Sequence, residues 1–259
     1  MAEVSTPVPA ATVLLVRQER ALEVLMVRRH HQIDFVSGAL VFPGGKLSAD
    51  DVDPRWLDHV ETPAGIDNIE RELRIAAIRE AFEESGIMLA REKRGGPLAS
   101  PEAFAALHER RAAISEGKES FLAALEGAGL IAALNALVPF AHWITPEGVG
   151  RRFDTHFFIA GAPEGQVEAC DGREAVEAVW LEPAAALEEG RAGKWQIVFP
   201  TRLNLERLAE TTDVESALAA ARARKIVSVT PKIVTENGAR TIHIPAEAGY
   251  SITAEPFTR

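Results

Sequence analysis

Apolar residues recur along this chain in two rhythms. Residues 10–17 and 22–28 are dense runs of Val, Leu, Ala and Met separated by Gln18-Glu19-Arg20, a pattern that predicts two strands joined as an antiparallel hairpin. Residues 38–42 read as another short strand, ending at Pro43-Gly44-Gly45. The period then becomes helical. Ile75, Ala76, Ile78, Ala81 and Phe82 recur at helix spacing, Gly86 supplies a stop, and Asp67 or Asn68 serves as N-cap for a helix starting near residue 68 or 70. Residues 87–90 read as a strand. Residues 101–137 are Ala- and Leu-rich with charges at helical spacing, and Ser100-Pro101-Glu102 has the form of an N-cap followed by Pro at the first helical position. Two or three helices are expected there, broken near Gly117 and Gly127. Strand patterns return at 137–143, at 152–160 and at 179–181. An apolar segment at 194–200 precedes helices at 201–211 and 214–224, and strands at 226–229, 233–234 and 241–244 close the chain.

This mixture predicts an α/β (α+β) fold with a mixed sheet between helices. At 259 residues and 47% hydrophobic content, one domain of this class can bury a substantial core. The stretch 100–137 reads as a helical insertion lying over one side of that core, as a lid or as the surface of a homodimer. A formal charge of −10 argues against a nucleic-acid-coating surface, which would be basic. No run reaches the roughly 18 apolar residues of a membrane span. The single cysteine, Cys170, excludes a disulfide framework and reads as a small, partly buried residue. With no basic-then-apolar leader pattern, a cytoplasmic location is expected.

Chemistry concentrates on the helix ending at Gly86. Glu80, Glu83 and Glu84 stand at i, i+3 and i+4, so three carboxylates share one face. Like charges at this spacing destabilise a helix, and a hard divalent cation such as Mg²⁺ or Mn²⁺ would offset them. A solvated acidic face is the plainer reading, and the neighbours argue against it: Arg79 precedes the first Glu, a Gly ends the helix, and a Gly-Gly pair lies upstream. Gly44 and Gly45 are expected to use positive φ and to bring backbone N–H groups close to an anion. Arg28 and Arg29, in a loop with His30 and His31, are candidates for phosphate contact through the planar guanidinium fork. Phe153, Thr155 and Phe157 alternate with Arg152, Asp154 and His156 as on a half-buried strand. Asp50, Asp51, Asp53 and Asp58 are expected to face solvent.

From Val41-Phe42-Pro43-Gly44-Gly45-Lys46-Leu47 to Arg79-Glu80-Ala81-Phe82-Glu83-Glu84-Ser85-Gly86-Ile87, the chain resembles the Nudix hydrolases, whose box reads G-x5-E-x7-R-E-U-x-E-E-x-G-U with U bulky and apolar. The second half of the box is matched, with Ala81 at the first U. The first half is interrupted. Counting from Gly45 puts the first Glu at Asp51, and counting back from Arg79 lands on Arg71, flanked by Glu70 and Glu72, so that Glu stays unassigned. Roughly twenty residues, about 48–68, are inserted. The interruption resembles a long-chain subgroup that includes peroxisomal coenzyme A diphosphatases, although the chain closes on Pro256-Phe257-Thr258-Arg259 rather than a peroxisomal address.

The resemblance implies a single Nudix domain over 1–259 with a helical insertion and a C-terminal extension. It implies Mg²⁺ or Mn²⁺ at Glu80, Glu83 and Glu84 with Gly45 alongside, and Arg79 orienting the Glu cluster. A further Glu before the 179–181 strand would act as metal ligand or base, Glu174 ahead of Glu177. Gly44, Arg152 and His156 join Arg28 and Arg29 as candidate substrate contacts. The implied substrate is a nucleoside diphosphate linked to another moiety, with coenzyme A or its thioesters ahead of ADP-ribose or a dinucleotide. A Nudix-fold binding module that has lost hydrolysis is the alternative, and retention of all three Glu speaks against it.

Overall fold

Strand β1 (Val8–Gln18) organises the sheet in the computed structural model, which describes residues 5–30, 38–170 and 175–257. Val13, Leu14, Leu15 and Val16 are all fully buried, so both faces of this strand are covered, as expected of a continuous apolar run at the centre of a sandwiched sheet. β2 (Leu22–Arg29) folds back on its far half as the predicted hairpin, from Val16↔Val24 to Gln18↔Leu22. β3 (Leu40–Val41) extends β2. β4 (Gly44–Lys46) pairs with the near half of β1, Ala10↔Lys46 to Thr12↔Gly44.

The helix that carries the three glutamates is α1 (Asn68–Ser85), capped by the Asp67 carboxylate at its start and by left-handed Gly86 at its end. The chain continues through β5 (Ala90–Arg91), α2 (Ala105–Ser115), α3 (Phe121–Gly127), β6 (Ile131–Ala132), β7 (Val138–Ile144) and β8 (Phe153–Gly161). β8 runs parallel to the whole other edge of β1, from Val8↔Phe153 to Val16↔Gly161. There follow β9 (Ala175–Leu181), α4 (Pro183–Arg191), α5 (Phe199–Leu208), α6 (Val214–Ala223), β10 (Ser228–Val229), β11 (Lys232–Glu236), β12 (Ala239–His243) and β13 (Ala254–Pro256). The principal sheet runs β10-β7-β8-β1-β2-β3, with β4 also on β1 and β9 also on β2; β11-β12-β13 and β5-β6 form small separate sheets.

Each face of the large sheet carries its own core. Ala11, Val13, Leu15, Leu25 and Phe158 face α1, α2 and α3. Leu14, Val16, Val24, Met26 and Ile159 face α4, α5 and α6. Mixed strand directions with helices on both sides give the α/β sandwich that the residue pattern predicts. Among the described residues, no helix is long and apolar enough to cross a membrane.

Several elements differ from the sequence reading. Residues 87–90 form no full strand, because the Gln166 side chain takes the place of a neighbouring backbone. It accepts from the Met88 N–H at 2.7 Å and donates to the Met88 carbonyl at 3.0 Å. Helix α4 was not foreseen, although Pro183 sits in its first turn. The β11–β12 hairpin turns at Asn237-Gly238, both at positive φ, an Asn-Gly signal that local pattern reading passed over.

The acids expected at the surface of the 48–68 insertion fold inward instead. Asp51 has no exposure, and Asp50 accepts from Ser120 Oγ and the Leu122 N–H at the start of α3. Trp56, 1% exposed, donates its indole N–H to the Asp50 carbonyl and packs on Phe121. Asp53 caps a short 3₁₀ turn at Pro54–Asp58, and only Asp58 stays fully exposed. Residues 100–137 likewise join the core through Phe104, Leu107, Phe121, Leu122 and Leu125, each fully or almost fully buried, rather than lying over it as a lid. The inserted segment supplies apolar surface that α1 needs, since α1 is buried nearly all round.

Candidate functional site

Helical spacing puts Glu80, Glu83 and Glu84 on one side of the last turns of α1, and β4 runs directly against them. The Gly44 N–H donates to Glu84 Oε2 at 2.9 Å. A Cβ on Gly45 would lie 2.4 Å from Glu80 Oε1, so only a residue without a side chain lets the strand reach the carboxylate. Neither glycine has positive φ. They are required for close approach within an extended strand, which corrects the expectation of a left-handed turn.

Arg79 organises the carboxylates. Its Nε and Nη2 form a fork on Asp51 at 2.8 Å each, and Nη1 donates to Glu80 Oε1 at 2.8 Å and to Glu83 Oε1 at 3.2 Å. Nη2 also reaches the Lys46 carbonyl, tying β4 into the same network. Burial by itself pushes the pKa of such a guanidinium down. Asp51, Glu80 and Glu83 outweigh it and hold the Arg79 pKa above the ordinary arginine value. An oxygen of each glutamate is therefore engaged: Glu80 and Glu83 by Arg79, Glu84 by Gly44. Asp51, the position reached by counting from Gly45, is the carboxylate that meets Arg79, while Glu70 pairs with Arg74 a helical turn further on. Sequence spacing pointed to both; only the structure separates them.

The other candidates distribute around this centre. Arg28, the last but one residue of β2, pairs with Leu40, four residues before Gly44, and ion-pairs with Glu177 across the β2–β9 ladder at 3.1 Å. Arg29 follows it at the β-bulge opposite Ala175. Glu174 and His31 lie outside the described residues. Arg152 is 7% exposed and donates to the Thr145 and Ser5 carbonyls, so it pins the β7–β8 turn to the N-terminal segment. His156 flanks β1 at Ala11, the residue that pairs with Gly45 on the other side. Burial first, and then His142, lower its pKa, so its ring favours the neutral form. It belongs to a cluster with His142 and Asp154 that pairwise motif reading did not connect.

The two glycines give a paired prediction. Gly45→Ala presses on the movable end of Glu80 and is expected to cost little stability while weakening metal-dependent activity by about 10–100-fold, the scale for a displaced ligand support. Gly44→Ala would place a Cβ 2.5 Å from the Ala11 carbonyl and 2.7 Å from Thr12 Cα, so backbone must move. Its cost should appear as lost stability of about 1–3 kcal/mol. Thermal melts and metal titrations of the two variants separate these effects.

Residues 66–208, over half of the chain, match the family model of the NUDT19 Nudix domain. The chain is 30% identical to putative nudix hydrolase 7 of Caenorhabditis elegans over 191 residues, covering 73% of this chain and 57% of that protein. It is 28% identical to the acyl-coenzyme A diphosphatase NUDT19 of Homo sapiens over 227 residues, 71% of this chain and 60% of that one. The chain thus spans about three fifths of the length of these curated relatives. Among solved structures, a NUDIX hydrolase from Alicyclobacillus acidocaldarius superposes with a TM-score of 0.70 at 27% identity, covering 83% of this chain and 96% of that one.

Proposed function

The chain belongs to the Nudix hydrolases, in the family of the NUDT19 Nudix domain, and from that premise we propose that it hydrolyses the diphosphate linkage of coenzyme A or acyl-coenzyme A. The observation that carries hydrolysis is the Arg79 network, which holds Glu80 and Glu83 on one guanidinium while Gly44 fixes Glu84. The substrate class rests on the names of relatives such as the acyl-coenzyme A diphosphatases, which match nearly three quarters of this chain.

Glu80, Glu83 and Glu84 fit a hard divalent ion, since carboxylate oxygens are its preferred donors and three of them share this face. Bound Mg²⁺ or Mn²⁺ would neutralise diphosphate oxygens and lower the pKa of the attacking water. Arg79 and the Gly44 N–H keep the three side chains in fixed rotamers before substrate arrives. We assign Glu83, the least buried of the three, to take the proton from water. Glu174, on the segment leading into β9, is the second candidate for that role.

A product-resolved hydrolysis screen with Mg²⁺ and Mn²⁺ tests this reading. Coenzyme A and acetyl-coenzyme A are expected to release adenosine 3′,5′-bisphosphate and the matching 4′-phosphopantetheine. Cleavage of ADP-ribose or a dinucleotide alone would keep the hydrolase and discard the coenzyme A assignment. Silence across the panel with metal bound would favour a binding module.

A further inference from the structure

A second group of metal-ligating side chains lies on the same sheet face as α1, toward its opposite end. His142 on β7 and His156 on β8 are register partners, and Asp154 stands two residues before His156 on the same face. Directly opposed residues of an antiparallel pair have Cβ atoms about 4.5–5.5 Å apart. The two imidazoles accordingly stack with centroids 4.0 Å apart. His142 Nε2 bonds Asp154 Oδ1, and His156 Nε2 lies 3.9 Å from the same oxygen. One ligand atom from each of the three falls within 4.8 Å of the others, and all three residues are half-buried.

We propose that His142, Asp154 and His156 form a second divalent-cation site, selective for a borderline transition metal of the Zn²⁺ class. Imidazole with one carboxylate suits Zn²⁺, Co²⁺ or Ni²⁺, whereas the all-carboxylate cluster on α1 suits Mg²⁺ or Mn²⁺. The outer shell is already in place. β10 pairs with β7 at Ser228↔His142, which brings Ser228 Oγ to 2.7 Å from His142 Nδ1. With a cation in place of the proton that Nε2 shares with Asp154, the Ser228 hydroxyl would accept from Nδ1–H and leave Nε2 as the ligand atom, the usual support for a metal-bound histidine.

Two features extend the site beyond three ligands. His156 also lines a cavity of about 350 Å³ with Asp67, Glu70, Leu73 and Ile226, so an ion held here would border open volume. Asp67 and Glu70 add negative charge on that side, favouring a cation. His156 and Gly45 pair with Ala11 from opposite edges of β1, which puts their backbones two strand spacings, about 10 Å, apart. Glu70 and Glu80 are ten positions apart on α1, about 15 Å along its axis. Three protein ligands and an open position describe a Zn²⁺-class site able to bind a further small ligand.

The test is Co²⁺ titration of the full chain in saturating Mg²⁺, read by visible d–d absorption. One equivalent is expected, displaced by Zn²⁺ and retained in Glu83→Gln. His142→Ala and His156→Ala should abolish the band with unchanged circular dichroism, and Ser228→Ala should weaken affinity by about 10–100-fold. Should either histidine variant misfold, Asp154→Asn serves in its place. A band insensitive to these substitutions, a band lost in Glu83→Gln, or no Co²⁺ uptake would overturn the assignment.

Discussion

Glu83→Gln is expected to lower kcat of metal-dependent diphosphate hydrolysis by about 10³-fold, the range for loss of a positioned proton acceptor. The replacement is nearly isosteric and still accepts from Arg79 through its amide oxygen, so the 3.2 Å contact can survive. What is lost is a negative charge. On α1 that charge sits three residues from Glu80, where like charges repel. Thermal stability without metal should therefore hold or rise while turnover collapses. That opposite movement distinguishes an active-site effect from unfolding, and wild-type turnover in Glu83→Gln would remove the helix carboxylates from the mechanism.

Asp51→Asn should have the largest effect on stability. Asp51 is completely buried, forks onto Arg79, and also accepts from the Ser48 N–H and hydroxyl. An Asn amide would turn a donor toward the guanidinium's own donors, leaving a buried charge short of its main partner. Breaking a buried pair from one side costs about 3–5 kcal/mol. At roughly 2–4 °C per kcal/mol, the melting temperature should drop by about 10 °C. Turnover of the protein that remains folded should fall about 10–100-fold, because Arg79 would no longer hold Glu80 and Glu83 in place. Arg79→Lys provides the complement, keeping the charge but not the bidentate geometry. If Asp51→Asn melts like the wild type, Asp51 is not the partner that completes the interrupted box.

Arg79 stays protonated throughout the accessible range, its pKa raised by the surrounding carboxylates.

Much of this molecule was legible in residue order. The β1–β2 hairpin, α1 with its Gly86 stop and the three-glutamate face follow from periods of two and 3.6, which depend only on neighbouring residues. The breaks near Gly117 and Gly127 were legible for the same reason. Other features were not. Pattern reading took Gly44-Gly45 as a turn, because a glycine pair signals backbone freedom; the strand was visible only once Glu80 was known to occupy the space of a Cβ. Asp50 and Asp51 read as solvated because loop acids usually are, and nothing local announces that Ser120 and Arg79, 70 and 28 residues away, need their oxygens.

The sequence by itself determined most of the elements, the family and the acidic face, since each is written in short-range spacing. Tertiary structure alone decided that Asp51 meets Arg79, why two glycines are needed, and that His142, Asp154 and His156 share one spot. Those outcomes depend on strand register and on helix packing across the sheet, where residues distant in the chain compete for the same few ångströms.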